Sequence, residues 1–121
     1  MAQDMAAYQA YADARKGSAD EQQQAVAQAI AVPIRIIELA GSIAARLDEI
    51  KSFMNPHLFS DLQAAAVLVS AAADAAATSA RVNLSSVADL SQADQLADEI
   101  DRFLTQLASH RDAVMRHNPS S

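Results

Sequence analysis

Apolar residues recur every three or four positions along four stretches of the chain, and this spacing is typical of α-helices that pack along one face. The predicted helices cover residues 2–16, 20–53, 61–80 and 91–116, with a loop over 83–91. Either Ser18 or Asp20 is suited to cap the second helix. Because short connections favour antiparallel neighbours, the pattern predicts an antiparallel up-and-down helical bundle.

The last predicted helix has the most regular apolar seam, with members alternating three and four residues apart as in coiled-coil packing. These residues are Ala93, Leu96, Ile100, Phe103, Leu107, His110 and Val114. In the second helix the corresponding residues are Val26, Ile30, Ile34, Ile37, Ala44, Leu47 and Ile50. Pro33 interrupts that helix, and proline either kinks a helix or stands at its first turn. We favour a kink, which gives four helices; the alternative gives five.

Residues 51–61, which we call the corner, separate the second and third predicted helices. Asn55 suits the left-handed stop after a helix, and the proline that follows cannot continue one. Ser60 with Gln63 matches a capping box for the next helix, and Asp61 suits the positive end of its dipole. Helix capping alone therefore accounts for the polar residues of the corner.

The composition supports an all-α fold. Apolar residues make up 51% of the 121 residues, and there are only 2 glycines and 3 prolines to form turns. Alanine, which is abundant, has the highest helix propensity. The length fits one domain, and we predict a single helical domain over residues 1–121 with a frayed tail over 117–121.

The net charge of −6 disfavours nucleic acid and anionic lipid as partners, because both need a basic surface. The most apolar run, residues 62–73, is shorter than the about 20 residues that cross a bilayer. The N-terminus lacks the basic and apolar regions of a secretory signal. We therefore expect a cytoplasmic protein that contacts neither a membrane nor nucleic acid.

The chain shows no motif for phosphate binding or for a serine nucleophile, and it contains no cysteine. His57, His110 and His117 do not have the spacing of metal ligands, and the Glu-x-x-His pattern of di-iron bundles is missing. We expect no metal and no bound cofactor. His110 is interpreted as a packing residue of the last helix.

Three segments, DMAAYQAYADARK, AVPIRIIELAGSIAARLDEIKSFMNPHLFSD and SARVNLSS, form an ordered set over roughly residues 2–110. The residues that carry the pattern are Asp4, Ala7, Tyr8, Val32, Pro33, Asn55, Pro56, Ser60, Asp61, Arg81, Asn83 and Leu84. In order and spacing this set resembles the cyclodeaminase/methenyltetrahydrofolate cyclohydrolase family, which includes the C-terminal domain of formiminotransferase-cyclodeaminase. The chain departs from that family at Ser79, where an Asn is usual, and it lacks the family's glycine-rich N-terminal loop and helical hairpin.

The resemblance implies a homodimeric folate enzyme that acts on a one-carbon unit carried by tetrahydrofolate. Asp61 is then the catalytic carboxylate, which stabilises the cationic carbon or moves a proton. The implied substrate-binding residues are Tyr8, Lys51, Asn55, Ser60 and Arg81. Among them, Asn55 and Ser60 would position water or the pterin, and Lys51 or Arg81 would meet the glutamate tail.

A second interpretation, in which the chain is not an active enzyme, remains open. Without the glycine-rich loop, the chain fits an inactive relative that serves as a helical dimerisation or interaction module, or a bundle that a partner chain completes. In that case Ser60 and Asp61 are only caps, Lys51 and Arg81 are solvated or ion-paired, and Tyr8 is a packing residue. Removing a hairpin from a bundle exposes an apolar groove, and such surfaces mark interfaces.

Overall fold

The computed structural model describes residues 5–7, 9 and 18–119. Its elements are α1 (Ala19–Ile50), two 3-10 helices (Lys51–Phe53 and Pro56–Leu58), α2 (Phe59–Leu84) and α3 (Leu90–Arg116). Residues 5–7 and 9 are helical as well, and no strand occurs among the described residues. The predicted all-α bundle is confirmed.

Helix α1 runs through Pro33 without a break, so the five-helix alternative is wrong. Ser18 is its N-cap, as predicted, and its hydroxyl accepts a hydrogen bond from the Glu21 amide at 3.2 Å. Pro33 is buried on the core face. A proline in a helix interior removes one backbone hydrogen bond, and here the helix continues through it with the proline ring buried.

The three long helices alternate in direction. Gln23, near the start of α1, bonds the loop between α2 and α3 through Ser86 and Ala88 at 3.0 and 2.9 Å. At the other end, Gln63 of α2 donates to the Met115 carbonyl of α3 at 3.3 Å. Helices α1 and α3 are therefore parallel, α2 runs against both, and the corner lies beside the C-terminal end of α3.

The core consists of one main cluster and a smaller one near the corner. The fully buried large side chains are Ile30, Ile37, Ile100, Leu107 and Val114. The smaller cluster joins Phe59, Leu62, Ala66 and Val114, with Leu47 and Met54 packed against it. The predicted seam of the last helix is confirmed, since its members are all buried or partly buried.

Helix α2 differs most from its prediction. It begins at Phe59 rather than at 61 and ends at Leu84 rather than at 80. The spacing of its small residues predicts an inner face through Ala65, Val69, Ala72, Ala76 and Ala80. Ala76 and Ala80 are buried, but Ala72 is exposed, and Ala66, Ala73 and Ala77 are buried instead. Ile50 of α1 was also predicted inside and is 41% exposed. Ala72 was misplaced because small apolar residues surround this part of α2 and do not single out one face. Ile50 is the last residue of α1 and lies beyond its last buried residue, Ala44.

Replacing Ile37 by Ala is expected to lower the free energy of unfolding by about 2–5 kcal/mol, because a fully buried side chain leaves a cavity. Leu90, at the start of α3, is 78% exposed, so Leu90→Ala should cost less than about 1 kcal/mol. Urea unfolding of the two variants measures the difference. Equal losses would contradict the central place of Ile37 in the core.

Candidate functional site

The corner is built from two short 3-10 helices. Asn55 begins the second one: its φ and ψ are −57° and 126°, and its side chain accepts a hydrogen bond from the His57 amide at 3.0 Å. The predicted left-handed stop at Asn55 is therefore wrong. Its amide oxygen is engaged in shaping the corner, and its side chain remains on the surface.

The predicted capping box at Ser60 is also wrong, because α2 begins at Phe59, two residues before the predicted start at 61. Leu58 is the N-cap and makes no side-chain capping bond, while Gln63 bonds α3 instead. Ser60 and Asp61 thus lie inside the first turn of α2, and both are exposed. Among the described residues neither side chain has a hydrogen-bond or ion-pair partner. A carboxylate at this position faces the partial positive charge of the helix N-terminus.

The side chain of Lys51 is not free to bind a ligand in the corner, because Asp48 already binds its ammonium group. Its ammonium group donates to the Asp48 carbonyl at 3.0 Å and forms an ion pair with the Asp48 carboxylate. The prediction that Lys51 meets a folate tail therefore requires the substrate to compete with Asp48.

Arg81 is remote from the corner. It stands near the C-terminal end of α2, about 30 Å along the helix axis from Asp61, and it pairs with Asp101 at 2.8 Å. One chain therefore does not bring Arg81 and Asp61 to the same small-molecule site. Tyr8, and Asp4 of the same predicted segment, lie outside the described residues, whereas the neighbouring Ala7 is buried.

Sequence reasoning missed the pairing of Asp48 with His110. The Asp48 carboxylate meets the Nδ1 atom of His110 at 2.7 Å and binds Lys51 through its other oxygen. The hydrogen bond from His110, and then that from Lys51, hold the pKa of the Asp48 carboxyl below its ordinary value. The spacing of Asp48 and Lys51 is visible in the sequence. The contact with His110, 62 residues away, needs the parallel arrangement of α1 and α3.

His110 is thus more than a packing residue, because 39% of its side chain is exposed and it lines a groove between α1 and α3. This groove, of about 480 Å³, is bounded by Glu38, Gly41, Ser42, Ala45, Phe103, Gln106 and His110. We call it the α1–α3 groove. It lies beside the Asp48–Lys51 pair, and Asp61 does not line it.

In chemical terms, the described part of the chain offers an unpaired carboxylate at a helix N-terminus and, separately, an imidazole oriented by a carboxylate. Both are typical of proton transfer at an enzyme site. Among the described residues no three or more His, Asp or Glu side chains are close enough to hold a metal ion. The fold and the corner define a helical-bundle protein with an exposed carboxylate at the start of α2.

Comparison with known protein families finds a match over most of the chain. The model of the formiminotransferase-cyclodeaminase family matches residues 1–102, and the chain belongs to this family. No curated protein sequence is similar enough to count as a match. The family membership confirms the resemblance that the three sequence segments indicated.

A solved structure has the same fold. The crystal structure of formiminotetrahydrofolate cyclodeaminase from Thermotoga maritima superposes with a TM-score of 0.90 at 26% sequence identity. The match covers 94% of this chain and 58% of the cyclodeaminase. The chain therefore spans somewhat more than half the length of that enzyme.

The Asp48 ion pairs predict an acid-sensitive contribution to stability. Because the pKa of Asp48 is lowered from its ordinary 3.8, its contribution is complete above that value and is lost as pH falls through the folded-state pKa. At pH 7 we expect Asp48→Asn to lower the free energy of unfolding by about 1–2 kcal/mol. This deficit should shrink towards pH 3.

Urea unfolding at both pH values tests this prediction. The matched control is Asp98→Asn, which removes an exposed carboxylate of α3 that has no partner among the described residues. A deficit of the same size at pH 7 and pH 3 would contradict the assigned role of Asp48.

Proposed function

We propose that the chain is a folate enzyme that acts on a one-carbon unit bridging N5 and N10 of tetrahydrofolate, as a formimidoyltetrahydrofolate cyclodeaminase or methenyltetrahydrofolate cyclohydrolase. The observation that carries the proposal is an Asp61 at the start of α2 that has no partner among the described residues, in a chain that belongs to the formiminotransferase-cyclodeaminase family. The structural likeness to a solved formiminotetrahydrofolate cyclodeaminase supports it.

The proposed chemistry suits a carboxylate at this position. In the cyclohydrolase step, water attacks a cationic carbon between two nitrogens, and an anion beside that carbon stabilises the charge and accepts the proton of the water. In the cyclodeaminase step, ammonia leaves as the ring closes, and a carboxylic acid can supply its proton. A folate derivative is the substrate, and no further cofactor enters the proposal.

Asn55 and Ser60 are proposed as contacts for water or the pterin, since both are exposed and stand within six residues of Asp61. Lys51 is one candidate for the glutamate tail, in competition with Asp48. Tyr8 keeps its proposed role as a substrate contact. Arg81 can take part only in a site that a second copy completes, because it lies about 30 Å from Asp61 within one chain.

We also propose that the chain works as a homodimer in the cytoplasm. Large apolar side chains are exposed on the outer faces of α1 and α2 and in the corner: Leu39, Ile43, Ile50, Phe53, Leu58, Val67, Leu68 and Val82. An exposed apolar surface of this kind is typical of an interface, and two-fold dimers are the commonest assemblies.

Lipid is a less suitable partner for this surface. Helices α1 and α2 are each long and apolar enough to cross a membrane by length and composition, and only 33% and 28% of the relevant stretches are buried. However, Arg35 stands mid-way along α1 and Asp74 mid-way along α2, and both are exposed. Charged side chains that face hydrocarbon are costly.

The same apolar surface also favours the second candidate function, a catalytically inactive dimerisation or interaction module. Phe53, at the tip of the corner, is 87% exposed, which is unusual for an aromatic side chain of a monomer. This candidate predicts the dimer but no turnover.

Absorbance of 5,10-methenyltetrahydrofolate separates the two functions. The wild type should speed its hydrolysis, and Asp61→Asn should reduce the enzymatic rate by about 100-fold or more, the usual contribution of proton transfer. The matched control is Asp74→Asn, which removes an exposed carboxylate from the same helix. If the wild type neither speeds this hydrolysis nor forms 5,10-methenyltetrahydrofolate from formimidoyltetrahydrofolate, the enzyme proposal fails and the interaction module remains.

Light scattering at micromolar concentration tests the dimer. Leu68, 70% exposed on α2, is replaced by Lys, and this change should convert a dimer to a monomer because an unpaired charge would be buried. Gln92→Lys adds the same charge to an exposed position of α3 and should leave the dimer intact. A wild type that is already monomeric contradicts the proposal, and flotation with lipid vesicles would assign the surface to a membrane.

A further inference from the structure

An oriented imidazole lies in the α1–α3 groove, and Asp61 does not line this groove. The carboxylate of Asp48 meets Nδ1 of His110 at 2.7 Å. In the neutral ring this nitrogen therefore carries the proton, and Nε2 is left as the acceptor. A carboxylate that fixes the tautomer and the orientation of a histidine is the arrangement that supports general bases in hydrolases.

The carboxylate of this pair is itself held in place. Its other oxygen binds the Lys51 ammonium group, which also donates to the Asp48 carbonyl at 3.0 Å. The Asp48 side chain is only 21% exposed, and it is ionised at neutral pH because its pKa lies below the ordinary value. An anion fixed through both oxygens orients the imidazole and stabilises the positive charge that forms when Nε2 accepts a proton.

The other side of the imidazole is open to a small molecule. The His110 side chain is 39% exposed and lines the groove, whose volume of about 480 Å³ is within the usual range for ligand pockets of about 300–1,000 Å³. Ser42, which also lines the groove, donates its hydroxyl to the Glu38 carbonyl at 3.3 Å rather than to the imidazole. Water is therefore the nucleophile that this imidazole can activate.

A donor for a developing oxyanion lies one helical turn from His110. Gln106 precedes it by four residues on α3, so the two side chains share one face of the helix, and both line the groove. In the described part of the chain the Gln106 amide has no partner. Its N–H group can donate to the oxygen of a tetrahedral intermediate beside Nε2. A single side-chain donor suits esters with a good leaving group better than amides.

The rest of the lining favours a flat, uncharged substrate. Gly41, Ala45 and Phe103 are apolar, and a Cβ atom added to Gly41 would meet nothing within 4 Å, which leaves space for a ring. The carboxylates of Glu38 and Asp48 disfavour an anion in the groove. Glu38 takes no part in the reaction, because it stands about 15 Å from Asp48 along α1.

We propose that the α1–α3 groove is a catalytic site in which His110 is the general base for hydrolysis of neutral phenyl esters with small acyl groups. The oxygen of a water molecule bonds to the acyl carbon while Nε2 accepts one of its protons. The ester C–O bond then breaks, and the imidazolium returns the proton to the leaving oxygen. The products are a carboxylic acid and a phenol. Asp48 stays ionised throughout and is a positioning residue.

Hydrolysis of p-nitrophenyl acetate by the full chain, followed as release of p-nitrophenolate, tests the proposal. The rate above buffer should saturate with substrate, and His110→Ala should lower kcat/KM by about 100-fold, the usual contribution of a general base. The matched control is His57→Ala, which removes an exposed histidine of the corner and should leave the rate unchanged. Gly41→Leu occupies the space for the ring and should raise KM about tenfold.

The pH dependence of the same reaction tests the role of Asp48. The wild-type rate should rise with pH as the imidazole loses its proton, and then level off. The charged groups packed against this ring are Asp48 and, behind it, Lys51, while Arg111 donates to Ser70 of α2 at 2.7 Å. Asp48→Asn should lower kcat about tenfold or more and move the midpoint of the profile to lower pH, because the imidazolium loses its anion.

The proposal is wrong if the wild type gives no rate above buffer, or if His57→Ala lowers the rate as much as His110→Ala. It is also wrong if Asp48→Asn keeps both the rate and the pH profile of the wild type. Circular dichroism checks that each variant is folded. If His110→Ala does not fold, Gly41→Leu against His57→Ala still decides, because both positions have room for the change.

Discussion

The close approach of α2 to α1 and α3 is the constraint on which the rest of the structure depends. Ala66, Ala73, Ala77 and Ala80 are completely buried at this contact, and such small side chains allow the helices to lie close together. Alanine contributes little transfer free energy, so the larger side chains of α1 and α3, such as Ile37 and Ile100, supply most of the apolar burial. Because α2 turns alanines inward over most of its length, three of its larger apolar residues, Val67, Leu68 and Val82, remain outside.

This arrangement separates two kinds of carboxylate. Asp48 is held between α1 and α3 by His110 and Lys51, and the pKa of its carboxyl is lowered by those hydrogen bonds. Asp61 stands at the start of α2 with no partner among the described residues. The first has the surroundings of a residue that positions an imidazole, and the second has those of a group that is available to a substrate.

The sequence predicted where the helices lie more accurately than it predicted which residues each helix buries and how each helix begins. The seam of α3 was predicted correctly because polar residues predominate over the rest of that helix, which leaves one possible inner face. The face of α2 was misplaced because alanine is compatible with the core and with solvent. At the corner, the capping pattern of Ser60 was outweighed by the packing of Phe59, which is 4% exposed and extends the helix to include it.

By itself, the sequence determined the all-α class, the approximate helix bounds and the family, because periodicity, propensity and ordered motifs are properties of the chain. Only the tertiary structure decided which polar groups meet. It joined Asp48 to His110 across 62 residues and placed Arg81 far from Asp61. The physical reason is that helix register and direction depend on packing between distant segments, and no local pattern encodes the distance between side chains on different helices.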